Sequence, residues 1–235
     1  MAKLFDMNNP FWSFVGKLLD VIVLHLIWLV CCIPVFTFGP ATTALYYALM
    51  KDAADEGSHY IRLFFKSFKL NFRQGIGLGF LFLIPELALA GTVWICTLNL
   101  GLNQWFAVVR TAAIIMMVVV FMFFEYAFPL LARFDNTVRD TLKNAFVMMF
   151  RYFGWTFVMT AVFIGFYVLI YLFEQYIFPL LILGFGFIVF IDAFILNHIF
   201  RPFIEKMEGR DPDEWIIPDE EPSEPPEEAS DEIST

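Results

Sequence analysis

The residues of this sequence that could do acid–base or ion chemistry lie inside apolar runs. Glu86 follows Pro85 near the middle of the run 76–98. Glu125 lies in the run 106–131, Asp192 in the run 177–200 with Asn197 and His198 close behind it, and His25 in the first run. An ionisable side chain surrounded by hydrocarbon is costly, so it is the first place to look for a proton site, a cation site or a polar contact to a substrate. The competing reading is a carboxyl that hydrogen-bonds a neighbouring helix. Glu86 leads, because Pro85 removes a backbone donor and loosens the helix beside it. Glu125, Asp192 and His25 complete the candidate polar site. Asp192 pairs with His25 or meets Glu125 only if their helices pack together. Arg110 needs no such role, since its stem can carry its charge to a surface. Asp20 stands three residues from Lys17 and can pair with it along one helix face.

Other chemistry is thinly represented. His25, His59 and His198 are far apart, and no serine-hydrolase elbow, P-loop or His-Glu-x-x-His occurs. Cys31, Cys32 and Cys96 lack metal-ligand spacing and read as small buried hydrophobes. Gly75, Gly77 and Gly79 open an apolar helix instead of following a strand, so they suit close helix contact and not a nucleotide; Gly184 and Gly186 read the same way. No catalytic, cofactor or metal site is expected, and the chain is not expected to be an enzyme.

The composition says where these residues must sit. Of 235 residues 60% are hydrophobic and 17% charged, with 31 Phe. Soluble domains carry about 45–50% apolar and about 25% charged residues. A net charge of −9 argues against a nucleic-acid partner. The expected fold is all-α, a polytopic transmembrane bundle with the lipid bilayer as its surroundings. A span needs about 20 apolar residues, and runs 76–98, 106–131, 154–173 and 177–200 supply four. The first run, 18–38, is broken by Pro34, while Pro40 can begin a new helix. The run therefore divides into a helix over 18–33 and a shorter one over 41–54. It shows no small-residue cleavage site of a signal peptide.

The basic residues orient the bundle. Lys51, Arg62, Lys66, Lys69 and Arg73 precede the third helix; Arg133, Arg139, Lys143 and Arg151 separate the fourth and fifth; Arg201, Lys206 and Arg210 follow the last. The connections 99–104 and 174–176 hold no Lys or Arg. The basic side is cytoplasmic by the positive-inside rule. If the short second helix crosses, six helices place both termini in the cytoplasm. If it does not, five helices place the N-terminus outside. A short or re-entrant helix is tolerable only where other helices cover it.

Two cytoplasmic connections read as amphipathic helices. In one, Ile61, Phe64, Phe65, Phe68 and Phe72 form an apolar face opposite a membrane-surface basic face of Arg62, Lys66, Lys69 and Arg73. In the other, Asp135 or Asn136 caps a helix with Val138, Leu142, Ala145, Phe146 and Met149 on its apolar side. These faces can anchor to headgroups or dock another protein. Residues 211–235 hold 11 acids and no Lys or Arg, with five prolines. The chain therefore divides into a transmembrane domain over 1–207 and a disordered acidic cytoplasmic tail over 208–235. Without 211–235 the chain has 15 basic and 13 acidic residues, which makes the bundle slightly basic. Trp215-Ile216-Ile217 is the one apolar island in the tail.

Several local patterns together resemble a known family. They are Asn9-Pro10-Phe11-Trp12; Gly39-Pro40-Ala41-Thr42-Thr43-Ala44-Leu45-Tyr46-Tyr47; Phe64-Phe65-Lys66-Ser67-Phe68-Lys69-Leu70-Asn71-Phe72; Phe128-Pro129-Leu130-Leu131-Ala132-Arg133-Phe134; and Thr141-Leu142-Lys143-Asn144-Ala145. Their order and spacing resemble the YesL-like family of bacterial integral membrane proteins, a domain of unknown function, over residues 5–205. Members of that family are often encoded near carbohydrate ABC transporters. The resemblance therefore implies a non-enzymatic accessory or scaffold role in sugar uptake or its regulation, in the cell membrane, with an ABC transporter or another membrane-complex subunit as partner. It carries over no catalytic residue. The alternative is a small secondary transporter or channel that uses Glu86.

Overall fold

In the computed structural model the chain is helical, with no strand among the described residues, which are 10–53, 59–101, 103–173 and 177–208. Helix α1 (Pro10–Cys31) starts on a proline, which a first helical turn accommodates, and ends before Pro34. A 3-10 turn at Val35–Thr37 reverses the chain, and the Thr37 hydroxyl lies against the carbonyls of Cys31 and Pro34. Helix α2 (Phe38–Ala53) then returns beside α1, and Trp28 Nε1 donates to Thr42 Oγ1 at 3.2 Å. Both helices begin earlier than their hydropathy suggests. Gly39 and Pro40 lie inside the first turn of α2, where a proline N–H would have no helical partner in any case.

Helices α3 (Tyr60–Leu70) and α4 (Phe72–Leu98) meet at Asn71. The Asn71 amide donates to the Ser67 carbonyl at 2.9 Å and its carbonyl accepts from Gly75 at 2.7 Å, so the hydrogen-bond ladder runs through the junction. Helix α5 (Gln104–Arg133) is capped by Asn103, whose side chain accepts from the Trp105 amide. Helix α6 (Val138–Arg151) is capped by Thr137, not by Asp135 or Asn136. Thr137 Oγ1 accepts from the Asp140 amide at 3.3 Å and donates to Asp140 Oδ2 at 2.6 Å. The first bond satisfies one free amide of the helix end, and the second holds the Thr137 hydroxyl in place to accept it. Helices α7 (Phe153–Leu172) and α8 (Ile177–Glu208) complete the chain.

The short helix α2 is the centre of the molecule. Residues 39–51 are all buried, enclosed by α1, α3, α4, α5 and α8. Its start fits against α4 because three glycines remove side chains from the contact. A Cβ on Gly39 would collide with the Gly75 carbonyl oxygen and stand 2.9 Å from Gly79 Cα. A Cβ on Gly75 would stand 2.8 Å from Pro40 Cα. Gly77, between them, faces nothing within 4 Å. At its other end the Met50 carbonyl accepts from Asn197 Nδ2 on α8 at 2.9 Å.

Packing is uneven along the bundle. Residues 124–133 of α5 and its C-cap Phe134 are all buried, whereas over 104–123 only Ala113 is. The rings of Phe134 and Phe200 meet at 5.6 Å at the packed end, where Lys51 and Arg133 are buried. Towards the other end the helices turn large apolar side chains outward, and Trp94, Trp105, Tyr167 and Tyr171 are exposed. Aromatic side chains of this kind favour the bilayer–water boundary. Four segments are long and apolar enough to cross a membrane: α4, α5, α7 and Gly184–Phe203 of α8. Together these features fit an integral membrane protein with several crossings. The tail beyond Glu208, the connection 174–176 and residues 54–58 lie outside the described residues.

On α3 the apolar face divides. Phe64 is fully buried and Phe68 partly so, while Ile61 and Phe65 are exposed beside Arg62, Lys69 and Arg73. On α6, Thr141, Ala145, Met148 and Met149 pack inward, while Phe146, Val147 and Phe150 are exposed.

Candidate functional site

Glu125 and Asp192 come together where the packed half of the bundle ends. Counting back from the Phe134–Phe200 contact places them at one level, nine residues along α5 and eight along α8. Glu125 is 3% exposed. Its Oε2 accepts from Thr160 Oγ1 on α7 at 2.9 Å, and its Oε1 has no hydrogen-bond partner among the described residues. Asp192 is fully buried, and neither carboxyl oxygen has a partner among the described residues. The two carboxyls lie within electrostatic reach of one another, and Tyr46 on α2 lies within reach of both. Buried polar groups are almost always paired, so two carboxyls with three unpartnered oxygens require an explanation.

Glu125 lies in the wall of a cavity of about 160 Å³ whose lining is almost wholly apolar. From α2, Phe38, Thr42 and Tyr46 line it at four-residue intervals, one face of a single helix. From α5 come Phe121, Phe124 and Phe128, and the remaining walls are Phe82, Phe163 and Phe185 on α4, α7 and α8. The rings support one another. Phe82 and Phe124 are 4.9 Å apart between centroids, Phe121 and Phe163 4.8 Å, and Phe163 and Phe185 6.0 Å. Edge-to-face and tilted contacts at these distances add to the area the rings bury.

His25 stands behind this wall. Its ring stacks on Trp28 at 5.4 Å, and Trp28 stacks on Phe185 at 4.5 Å while donating to Thr42. Gly186 makes room for it, since a Cβ there would approach His25 Cβ to 2.7 Å. The histidine thus meets the back of the cavity wall through the indole and directly, its ring centroid 6.0 Å from that of Phe185. A second polar link lies at the next residue of α5 and one turn back along α7, where the Tyr126 and Thr156 hydroxyls meet at 2.9 Å and Thr156 donates to backbone carbonyls of Met149 and Tyr152.

Of the four candidate residues, the structure therefore brings together Glu125 and Asp192, seats His25 nearby, and leaves Glu86 apart. Glu86 is half-buried on α4, its Oε1 has no partner among the described residues, and it does not line the Glu125 cavity. Tyr46, Thr42 and Thr160 belong to the site although sequence reasoning did not select them. The Phe38/Thr42/Tyr46 spacing on the helix opened by Gly39-Pro40 was the available signal. The basic residues Arg62, Lys69 and Arg73 are exposed on α3 and α4, and Lys66 is half-buried. No group of three or more His, Cys, Asp or Glu that could hold a metal ion occurs among the described residues.

Residues 21–90 match a family described as a protein of unknown function, DUF624. The match covers the second half of α1, all of α2 and α3 and α4 as far as residue 90, and so includes His25, Tyr46 and the basic face but neither Glu125 nor Asp192. No curated protein and no solved structure matches the chain.

Proposed function

We propose that this chain is a non-enzymatic accessory or scaffold component of a membrane complex, linked to carbohydrate uptake or its regulation. The observation that carries the reading is the pair of helices α3 and α6. Each packs one side into the bundle and turns outward a surface that mixes basic residues with exposed apolar ones: Ile61 and Phe65 on α3, Phe146, Val147 and Phe150 on α6. Such surfaces suit a headgroup layer and a docked subunit equally. The carbohydrate link rests on the resemblance to the YesL-like family, and an ABC transporter is the partner it suggests. In the arrangement we favour, both termini are cytoplasmic and α1 and α2 enter and return as a hairpin. The basic residues support it, because with α2 crossing only Arg110 lies near the outer side.

In-cell crosslinking followed by gentle solubilisation tests the reading. A membrane subunit should co-purify in fixed ratio, and neutralising the α3 and α6 basic residues or deleting 209–235 should release it. Isolation as a lone species that these changes leave unaltered would overturn the accessory role. A transport role through Glu86 gains nothing from the geometry, since Glu86 does not line the aromatic cavity.

A further inference from the structure

Another cavity, of about 170 Å³, lies at the packed end of the bundle between α6, the end of α5 and Phe203 of α8. One face of α6 forms its floor, where Asn144, Val147, Met148 and Arg151 recur at three- and four-residue intervals. Phe134 and Phe203 give it apolar walls, and Asn136, just before α6, adds a second amide. Among the described residues no carboxylate lines this cavity, and Arg151 makes no ion pair. The Arg151 guanidinium lies instead over two rings, 5.5 Å from the centroid of Phe203 and 5.9 Å from that of Tyr152. Stacking of this kind fixes the planar fork while leaving its N–H donors free for an anion.

We infer that this cavity seats the phosphodiester headgroup of an anionic phospholipid, with Arg151 on the phosphate oxygens and the Asn136 and Asn144 amides as further donors. A guanidinium fork matches two phosphate oxygens at once, and basic pockets between membrane helices bind anionic headgroups. The size suits a headgroup and not the tails. About 170 Å³ is comparable to the engineered cavity of about 150 Å³ that admits benzene. The tails have their own surface, since Phe146, Val147 and Phe150 are exposed on the same helix, and Val147 lines the cavity as well. A free phosphate or a sugar phosphate would satisfy the guanidinium but leave Phe134, Met148 and Phe203 facing a polar ligand. The site goes beyond the accessory role and stands or falls separately from it, because it needs no partner protein.

The test is a titration of the full-length protein in non-ionic detergent micelles with dioleoylphosphatidylglycerol, read by the thermal unfolding midpoint. Two probes stand beside it: dioleoylphosphatidylcholine, which keeps the phosphodiester and cancels its charge, and glycerol 3-phosphate, which keeps the anion and has no tails. The anionic lipid should raise the midpoint saturably, and neither of the other two should reproduce the rise. Arg151→Gln should weaken the apparent affinity at least tenfold. Arg139→Gln removes the same charge from an exposed position on α6 outside the cavity, and should change the affinity less than twofold. No saturable response, an equal response to the neutral lipid, or equal effects of the two arginine substitutions overturns the proposal. An equal response to glycerol 3-phosphate also overturns it, in favour of a soluble phosphate ligand. Should Arg151→Gln not fold, Asn144→Asp decides, since it sets a carboxylate at an exposed position of the cavity lining. A loss of several-fold or more for the anionic lipid supports the site, and unchanged affinity overturns it.

Discussion

The Thr160 hydroxyl donates to Glu125 Oε2 at 2.9 Å and so ties α7 to α5 at the level where the buried carboxyls gather. Interhelical hydrogen bonds inside membrane bundles contribute about 0.6 kcal/mol on average and up to about 1.7. Thr160→Val keeps the shape and removes the donor, so it should lower stability by about 0.5–1.5 kcal/mol. In Glu125→Leu, which has no acceptor, the same substitution should cost less, and a double-mutant cycle read by unfolding in mixed micelles gives the coupling. Additive costs would mean that the bond contributes nothing.

Gly39→Ala should damage the fold far more than Gly77→Ala. The first places a methyl group against the Gly75 carbonyl and Gly79, backbone on both sides, while the second meets open space. Overpacking of a tight contact costs about 1–3 kcal/mol and more where the backbone cannot move. At Gly77 the gain in helix propensity, about 1 kcal/mol in soluble helices, should leave stability equal or higher. Midpoints of thermal unfolding for the two variants check this, and equal shifts would refute the close approach of α2 to α4.

Thr137→Ala should fray the start of α6. The substitution removes both the acceptor for the Asp140 amide and the donor to its carboxylate, a loss of about 0.5–2 kcal/mol for a helix cap. Amide exchange should quicken over the first turn of α6 and stay unchanged near Met148, which is buried.

Neutralising Arg62, Lys69 and Arg73 to Gln should weaken the preference for anionic lipid. These three residues are exposed on one side of α3 and the start of α4. Each basic side chain near an anionic surface contributes about 1 kcal/mol. The stabilisation gained on moving from neutral to anionic nanodiscs should fall, and an unchanged gain would show that this face points elsewhere.

Single cysteines at Asn9 and Gly57, in a chain with Cys31, Cys32 and Cys96 replaced, should both be labelled from the cytoplasmic side. Labelling of Asn9 from outside with Gly57 inside would establish the five-helix alternative.

The long helices were legible because apolar runs of membrane length have few other uses. The runs at 76–98, 106–131 and 154–173 fall within four residues of the ends of α4, α5 and α7. The break at Pro34 and the glycine contacts followed from backbone chemistry alone. The site was less legible. Hydropathy ranks Glu86 first because it sits at mid-run beside Pro85, yet what buries a carboxyl is the neighbour across the interface. For Glu125 that neighbour is α2, a helix of mean hydropathy too modest to advertise its central place. Facing tyrosine and threonine on α2 also hides it from any scan for apolar stripes. The division of the α3 apolar face has the same origin, since one helix cannot reveal which of its phenylalanines will meet another helix and which will meet lipid.

The enclosure of α2 bears on how the chain is made. Synthesis proceeds from the N-terminus, so the α1–α2 hairpin leaves the ribosome before α4, α5 and α8, the helices that cover it. Until α8 arrives, the side of α2 that it covers has no protein wall, and the Met50 carbonyl lacks its Asn197 donor. The bundle therefore closes from its last helix back onto its second, and a chain truncated before residue 177 leaves the hairpin without its final wall.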